Sequence, residues 1–230
     1  NSICIDINVA CAGFVYALDM AKHYLLNPDI KNILIISTEN LSKIVDYTDR
    51  STCVLFGDAS ASCVVNKSDS FYGGCFKTEG EGAKHIFARL HPSGNVFSEG
   101  VNPRDADDFG VGNDNIMYMD GKEVYKFAIR VIPIAIKEAC EKSGVLLSDL
   151  DYIICHQANI RIIETASSNL GISMDKFYIN LDKYGNTSSA SIPLCIDELN
   201  KSGTLKKGDN ICIVGFGAGL TYGAVVFEWK

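Results

Sequence analysis

Three residues able to do covalent or acid–base chemistry stand where apolar runs give way to helical patterns. Cys11 ends the run Ser2-Ile3-Cys4-Ile5-Asp6-Ile7-Asn8-Val9-Ala10, whose apolar residues alternate, and precedes Phe14, Leu18, Ala21 and Leu25, which recur at helical spacing. A thiol at such a junction faces unsatisfied helix amides and the positive end of the dipole, which favour thiolate. A thiolate there is a nucleophile. The competing reading is a buried core cysteine. His156 follows the apolar run Tyr152–Cys155 in Cys155-His156-Gln157-Ala158-Asn159-Ile160-Arg161. Strand ends are where α/β folds place their chemistry, and the alternative is a helix-capping or core histidine. Asn186 lies between a strand pattern and a helix pattern in Lys183-Tyr184-Gly185-Asn186-Thr187-Ser188-Ser189-Ala190-Ser191. Its alternative reading is an N-cap. The stretch Val214-Gly215-Phe216-Gly217-Ala218-Gly219-Leu220 resembles a dinucleotide fingerprint, but a strand pattern follows it and not a helix. A glycine turn between two strands lets backbone amides approach a substrate closely, as an oxyanion hole requires, or is a plain hairpin turn.

The elements that must position these residues read as alternating strands and helices. We expect strands over residues 2–9, 31–37, 53–56, 59–65, 151–155, 177–180, 210–214 and 222–229. Helices are expected over 11–26, 120–142 (kinked or divided at Pro133), 158–170 ended by Gly171, and 188–200. Residues 66–115 are rich in Gly, Ser, Asn and Asp and read as loops with one or two short strands. Residues 3–37 and 177–215 share one order: strand, small-residue loop, helix, turn, strand. Two such halves imply a duplicated, layered α/β fold.

Composition narrows the class. The 230 residues are 47% hydrophobic and 21% charged, ordinary for a globular protein. No run is long and apolar enough to span a bilayer, so no membrane role is expected. Net charge of −7 disfavours nucleic acid as a partner. Nine cysteines without a C-x-x-C pair, most of them in apolar stretches (Cys4, Cys63, Cys140, Cys155, Cys195, Cys212), argue for a reducing cytoplasm and against a disulfide framework or a zinc site. The four histidines have no metal-ligand spacing, so no metal is expected. Asn1 leads at once into an apolar strand pattern, which reads as a piece lacking its N-terminal elements.

Taken together and in order, A-C-A-G-F, H-Q-A-N-x-R-I, G-N-T-S-x-A-S and G-F-G-x-G-x-T-x-G resemble the β-ketoacyl-acyl-carrier-protein synthase III family, over essentially the whole chain. Asp49-Arg50 with Phe56-Gly57-Asp58, and Met119-Asp120-Gly121-Lys122-Glu123-Val124-Tyr125, fit the same family. The resemblance implies a thiolase-like α-β-α-β-α fold with duplicated halves: 1–70 as the remainder of the nucleophile-bearing half, and 71–230 as the half carrying His and Asn. It implies a decarboxylating condensation of an acyl-CoA primer with malonyl-acyl-carrier protein, initiating fatty acid synthesis without a cofactor. Cys11 would take the acyl group, and the amides of Cys11 and Ala218 would hold the thioester oxyanion. Ala218 replaces a glycine, which is tolerable unless φ there is positive. His156 and Asn186 would hydrogen-bond the malonyl thioester carbonyl as CO₂ leaves. Arg50 would lie near the adenine and phosphate end of CoA, Asn159 near its pantetheine arm, and Phe216 against the substrate. A homodimer is implied, with missing N-terminal elements supplied by the full-length chain or by another chain.

The segment 120–142 adds an observation of its own. Lys122, Lys126, Arg130 and Lys137 fall near one helical stripe at a spacing of about four residues. It is either a solvated face or, with Arg161, a docking patch for an acidic carrier protein. Residues 79–115, centred on Arg104-Asp105-Ala106-Asp107-Asp108, look long for the family and neighbour its substrate channel. Alternatives to priming fatty acid synthesis are a related acyltransferase or condensing enzyme of secondary metabolism, and a non-catalytic partner subunit that binds carrier protein.

Overall fold

A computed structural model describes residues 2–88 and 116–230; the 104–108 centre of the long segment lies outside the described residues. In chain order the elements are α1 (Gly13–Tyr24), β1 (Asn32–Glu39), β2 (Ala59–Asn66), β3 (Tyr72–Thr78), β4 (Ile86–Ala88), β5 (Met117–Met119), α2 (Gly121–Ser143), β6 (Tyr152–Cys155), α3 (Ile160–Leu170), α4 (Leu181–Tyr184), α5 (Ser191–Lys201), β7 (Asn210–Gly217) and β8 (Thr221–Glu228). Short 3₁₀ turns at Ala10–Ala12 and Ser188–Ala190 lead into α1 and α5.

The strands form three sheets. β1 and β2 pair antiparallel, with Ile35 opposite Cys63 and Glu39 opposite Ala59. The main sheet has the order β3-β8-β7-β6, with β6 parallel to β7 and the other pairs antiparallel. β4 and β5 make a small antiparallel pair. Helix α2 packs on β3, β7 and β8, and α3 packs on α2. Helix α1 touches β1 as well as β7 and β8, and α5 touches β2 as well as β6 and β7. α1 and α5 therefore form a central layer between two sheets, and α2 and α3 cover the far face of the larger one. β7 is buried along almost its whole length, as a strand covered on both faces must be. One apolar cluster, with Ile132, Ile136, Ile153 and Phe216, lies between the main sheet and α2 and α3. A second, with Phe14, Val15, Ile154, Ile192, Ile213 and Val225, lies around the central layer.

Local chemistry sets the helix ends. The Asp120 side chain accepts from the Lys122 and Glu123 amides at the start of α2, and Gly144 closes it in the left-handed conformation (φ 74°). Asn159 caps α3, and Gly171 (φ 68°) ends it.

Five expectations need correction. Residues 2–9 alternate like a strand but have no ladder partner among the described residues, and Ile3 and Ile5 are 80% and 57% exposed. An alternating pattern gives a strand only where a neighbour accepts its hydrogen bonds. Residues 53–56 form a turn whose last residue, Phe56, bridges to Asn186, and 177–180 contribute one bridge, Phe177 to Ile153, before α4 begins. Of the two expectations for Pro133, a kink or a division, the division is corrected: α2 runs unbroken through it, because burial of eight of its residues outweighs one lost hydrogen bond. The internal repeat lacks its opening strands. What recurs is 3₁₀ turn, helix, strand and antiparallel strand: α1–β1–β2 in one copy and α5–β7–β8 in the other.

Candidate active site

Cys11 sits on the 3₁₀ turn at the head of α1, 8% exposed. The preceding Ala10 has φ 45°, and Ser188, which opens the matching turn before α5, has φ 49°. For a residue with a Cβ this is a sparsely populated conformation, held only where the surroundings fix it. The two turns lie against each other: a Cβ built on Gly13 would meet the Ser189 Cβ at 3.3 Å.

Ser188 is the point on which the three candidates converge. Its side chain faces the Cys11 thiol and favours the ionised form. Its amide donates to Asn186 Oδ1 at 2.9 Å. Its carbonyl accepts from Ser191 Oγ at 2.7 Å, and Ser191 Oγ is 2.8 Å from His156 Nδ1. His156, Asn186 and Ser188 are all buried. The Asn186 amide donates to Leu55 O at 2.8 Å and its carbonyl accepts from Gly57 N at 2.9 Å, fixing it to the turn after residue 53. Asn186 is thus not an N-cap of α5, whose capping position is Ala190.

The glycine stretch closes the site from the sheet side. Gly217 ends β7 beside the nucleophile, where an added Cβ would lie 2.8 Å from Cys11 Cβ and 3.3 Å from Sγ. Phe216, fully buried, sets its ring edge-on to His156 with centroids 5.2 Å apart. Ala218 follows in the turn between β7 and β8, and among the described residues the non-glycines with positive φ are Ala10 and Ser188. Alanine therefore replaces glycine at this position without backbone strain.

The charge state of the nucleophile differs from the sequence expectation. Burial pushes the Cys11 thiol up to about 11, and the Glu39 carboxylate adds to the rise, against the Ser188 hydrogen bond that lowers it. The resting residue is a thiol at neutral pH, so the helix start alone does not make it a thiolate. Burial pushes His156 down to about 4, so its ring is neutral.

Three residues that sequence reading passed over complete the framework. Ser188 and Ser191 sit in a serine-rich segment that reads as ordinary helix-start chemistry. Glu39, at the end of β1, accepts from Ser189 N at 3.2 Å and Ser189 Oγ at 2.5 Å across 150 residues of sequence. A second scaffold holds the approach to Asn186: Glu198 accepts from Tyr178, Asn180, Lys183 and Tyr184, and Gln157 bridges Cys155 and Tyr178 carbonyls to the Asn180 amide.

The remaining candidates lie outside this cluster. Arg50 is exposed in the turn after Asp49. Asn159 is half-buried and spends Oδ1 on capping α3 through the Arg161 amide, at 2.9 Å. Of the basic stripe, Lys126 pairs with Glu123, and Arg130 makes a two-pronged pair with Glu79 at 2.9 and 2.6 Å. Lys122, Lys137 and, on α3, Arg161 are exposed. No group of three or more His, Cys, Asp or Glu able to hold a metal is present among the described residues, and no described helix is long and apolar enough to cross a membrane.

The chain matches the 3-oxoacyl-[acyl-carrier-protein (ACP)] synthase III family over residues 5–80, and the C-terminal model of that family over residues 140–229. It is 46% identical, over its full length, to a β-ketoacyl-[acyl-carrier-protein] synthase III of Clostridium acetobutylicum, 68% of which it covers. Among solved structures, the β-ketoacyl-acyl-carrier-protein synthase III of Thermus thermophilus superposes with a TM-score of 0.87 at 38% identity, over 98% of this chain and 68% of that one. The priming β-ketosynthase of the R1128 polyketide pathway superposes with a TM-score of 0.84 at 31% identity, over 98% of this chain and 65% of that one. With both family models falling on the segments that hold Cys11, His156 and Asn186, the chain has the thiolase-like fold and belongs to the β-ketoacyl-acyl-carrier-protein synthase III family.

Proposed function

We propose that this chain carries the condensing site of an enzyme that joins an acyl-CoA primer to malonyl-acyl-carrier protein with loss of CO₂, giving a 3-oxoacyl-acyl-carrier protein and initiating fatty acid synthesis. The observation that carries this reading is the convergence of Cys11, His156 and Asn186 on Ser188 at the end of β7. Cys11 sulfur attacks the acyl-CoA carbonyl, its S–H bond breaks, and CoA leaves as the free thiol, taking up that proton. The amides of Cys11 and Ala218 hold the tetrahedral oxyanion, and Gly217 keeps the backbone close enough for both to serve. Malonyl thioester then places its carbonyl oxygen on His156 and Asn186. As the C–CO₂ bond breaks, its electron pair moves into the enolate, and these donors stabilise the charge on oxygen. The enolate carbon attacks acyl-Cys11, and the Cys11 thiolate is released and takes a proton from solvent, which restores the resting thiol. No step needs a metal or a redox cofactor.

Arg50 and Asn159 serve the CoA arm in this reading, and Phe216 shields the ring of His156 from water. The exposed Lys122, Lys137 and Arg161, with Lys126 and Arg130, form the docking face for an acidic carrier protein. The two thiolase-like halves divide near residue 70, and two copies of the whole protein assemble as a homodimer. Nine free thiols suit a reducing cytoplasm.

Incubating the full-length protein with radiolabelled acetyl-CoA should label Cys11 covalently, and adding malonyl-acyl-carrier protein should release a labelled product longer by two carbons. Equal labelling of Cys11→Ser refutes the nucleophile. The 31% identity to a priming polyketide ketosynthase favours one second reading, condensation in secondary metabolism. A labelled product built on other acceptors, in place of the two-carbon extension, would select it.

A further inference from the structure

The two copies of the internal repeat match residue by residue at the site. Each opens on a three-residue 3₁₀ turn whose first residue has positive φ, Ala10 in one copy and Ser188 in the other. Cys11 of the first turn therefore corresponds to Ser189 of the second. Each copy goes on through a helix to an eight-residue strand, and these strands end at Glu39 and Gly217. The contacts are exchanged between the copies. Gly217, the strand end of the second copy, stands against Cys11 of the first, with an added Cβ 3.1 Å from the Cys11 amide nitrogen. Glu39, the strand end of the first copy, stands against Ser189 of the second. Its Oε1 accepts from the Ser189 amide at 3.2 Å and from Ser189 Oγ at 2.5 Å. In the condensing reading the Cys11 amide holds a substrate oxyanion. On the replica of that amide, at Ser189, a carboxylate oxygen of the protein takes the same place.

We propose that Glu39 is a positioning residue: its carboxylate fills the replica of the oxyanion site and, by holding Ser189, sets the orientation in which Asn186 meets the malonyl thioester. The inference rests on the condensing reading above. Hydrogen bonds carry the connection. Ser189 follows Ser188, whose φ of 49° persists only where its neighbours fix it. The Ser188 amide donates to Asn186 Oδ1 at 2.9 Å. A donor N–H there fixes the side-chain oxygen toward it, so the Asn186 NH₂ is turned away from Ser188 and is the group left to donate. The Asn186 backbone is tied separately, to Leu55 and Gly57. Loss of the Glu39 bonds therefore leaves the Asn186 backbone in place and frees its side-chain amide to turn.

The carboxylate does two things that can be separated. Its oxygen accepts two hydrogens, which the oxygen of a glutamine also does. Its charge raises the pH at which the Cys11 thiol ionises, which a glutamine does not. The groups around that thiol are few. Glu39 comes from the end of β1, Ser188 from the turn before α5, and the backbone of Gly217 from the sheet side. His156, at the end of β6, is buried and neutral.

The test uses the full-length protein with Glu39→Ala and Glu39→Gln. It follows CO₂ release from malonyl-acyl-carrier protein and, separately, acetyl transfer from acetyl-CoA to Cys11. Glu39→Ala should release CO₂ more slowly by about tenfold or more, the scale of one misplaced donor, and should acylate Cys11 within about threefold of wild type. Formate or acetate, small enough for the space the side chain leaves, should restore its CO₂ release and raise its melting temperature, and chloride at equal ionic strength should do neither. Glu39→Gln should release CO₂ within about threefold of wild type, and both variants should move alkylation of Cys11 to lower pH. A folded Glu39→Ala enzyme with wild-type CO₂ release overturns the proposal, as does one that loses both half-reactions equally or that neither carboxylate restores. If the alanine variant does not fold, Glu39→Gln decides, and a loss of about tenfold or more in its CO₂ release with the fold intact overturns the proposal. A wild-type protein that neither acylates Cys11 nor releases CO₂ refutes the condensing reading instead, and the effect of formate on the melting of Glu39→Ala still reads whether a carboxylate holds Ser189.

Discussion

Replacing Gly217 by alanine tests the site at its tightest point. The added Cβ would stand 2.8 Å from Cys11 Cβ, 3.1 Å from Cys11 N and 3.3 Å from Sγ. Carbon atoms in good contact sit about 3.5–4.0 Å apart, so the nucleophile must retreat by about 1 Å. Retreat is not local. Cys11 belongs to a 3₁₀ turn continuous with α1, and the next residue, Ala12, already packs against Gly215, where an added Cβ would lie 2.8 Å from the Ala12 Cα. A misplacement of about 1 Å at a reacting atom costs about 100-fold in rate, and overpacking a filled interior costs about 1–3 kcal/mol of stability. We therefore expect Gly217→Ala to remain folded, with a lowered melting temperature, and to acylate Cys11 from acetyl-CoA about 100-fold more slowly. The assay is single-turnover acylation followed by intact mass, beside thermal unfolding. Gly121→Ala is the control, because no atom lies within 4 Å of its added Cβ, and its acylation rate should be that of wild type. A folded Gly217→Ala enzyme that acylates within about threefold of wild type would show that backbone proximity at this point does not place the nucleophile.

Two further outcomes follow from buried groups. His156 titrates near 4 when folded and at its ordinary 6.5 when unfolded, so the unfolded chain takes the proton first on acidification. Stability should be at its full value above pH 6.5 and fall as the pH drops toward 4, by about 3 kcal/mol in all; denaturant melts across that range should show a slope that His156→Gln flattens, and an unchanged slope would mean the ring is not buried neutral. Glu198→Ala strips the acceptor from buried Asn180 Nδ2 and from three neighbours, costing about 1–3 kcal/mol. Because that segment leads to Asn186 and not to Cys11, malonyl decarboxylation should fall several-fold more than acylation, and equal losses in the two half-reactions would refute the assignment.

What the sequence made legible was the set of junctions. Cys11, His156 and Asn186 each mark a change of hydrophobic period or a break in an apolar run, and such changes survive into structure because they fix which face of an element is buried. The protonation state of Cys11 was not legible in this way. It depends on burial and on Glu39, a strand-end residue whose partner lies 150 positions away. The serines of the 188–191 turn were hidden for a different reason. Ser and Thr at helix starts are so commonly caps that nothing in their spacing distinguishes a hydroxyl aimed at a histidine. Residues 2–9 misled because alternation reports which side chains share a face, not whether a neighbouring strand is there to pair with. Pro133 does not divide its helix because the rule for an isolated helix ignores the sheet that α2 covers.

The pairing of the two 3₁₀ turns has a consequence for how the site tolerates its surroundings. Each turn opens a central helix, and the two openings abut, Gly13 against Ser189. Two helix starts, each worth about half a positive charge, are thereby focused on one spot. Together they act as a cation with no side chain behind it. Such a charge has no proton to lose at high pH, cannot be methylated or acetylated, and does not swing away to pair with a passing anion. The duplicated architecture gives the reaction a positive electrode built from backbone, one terminal supplied by each half of the fold.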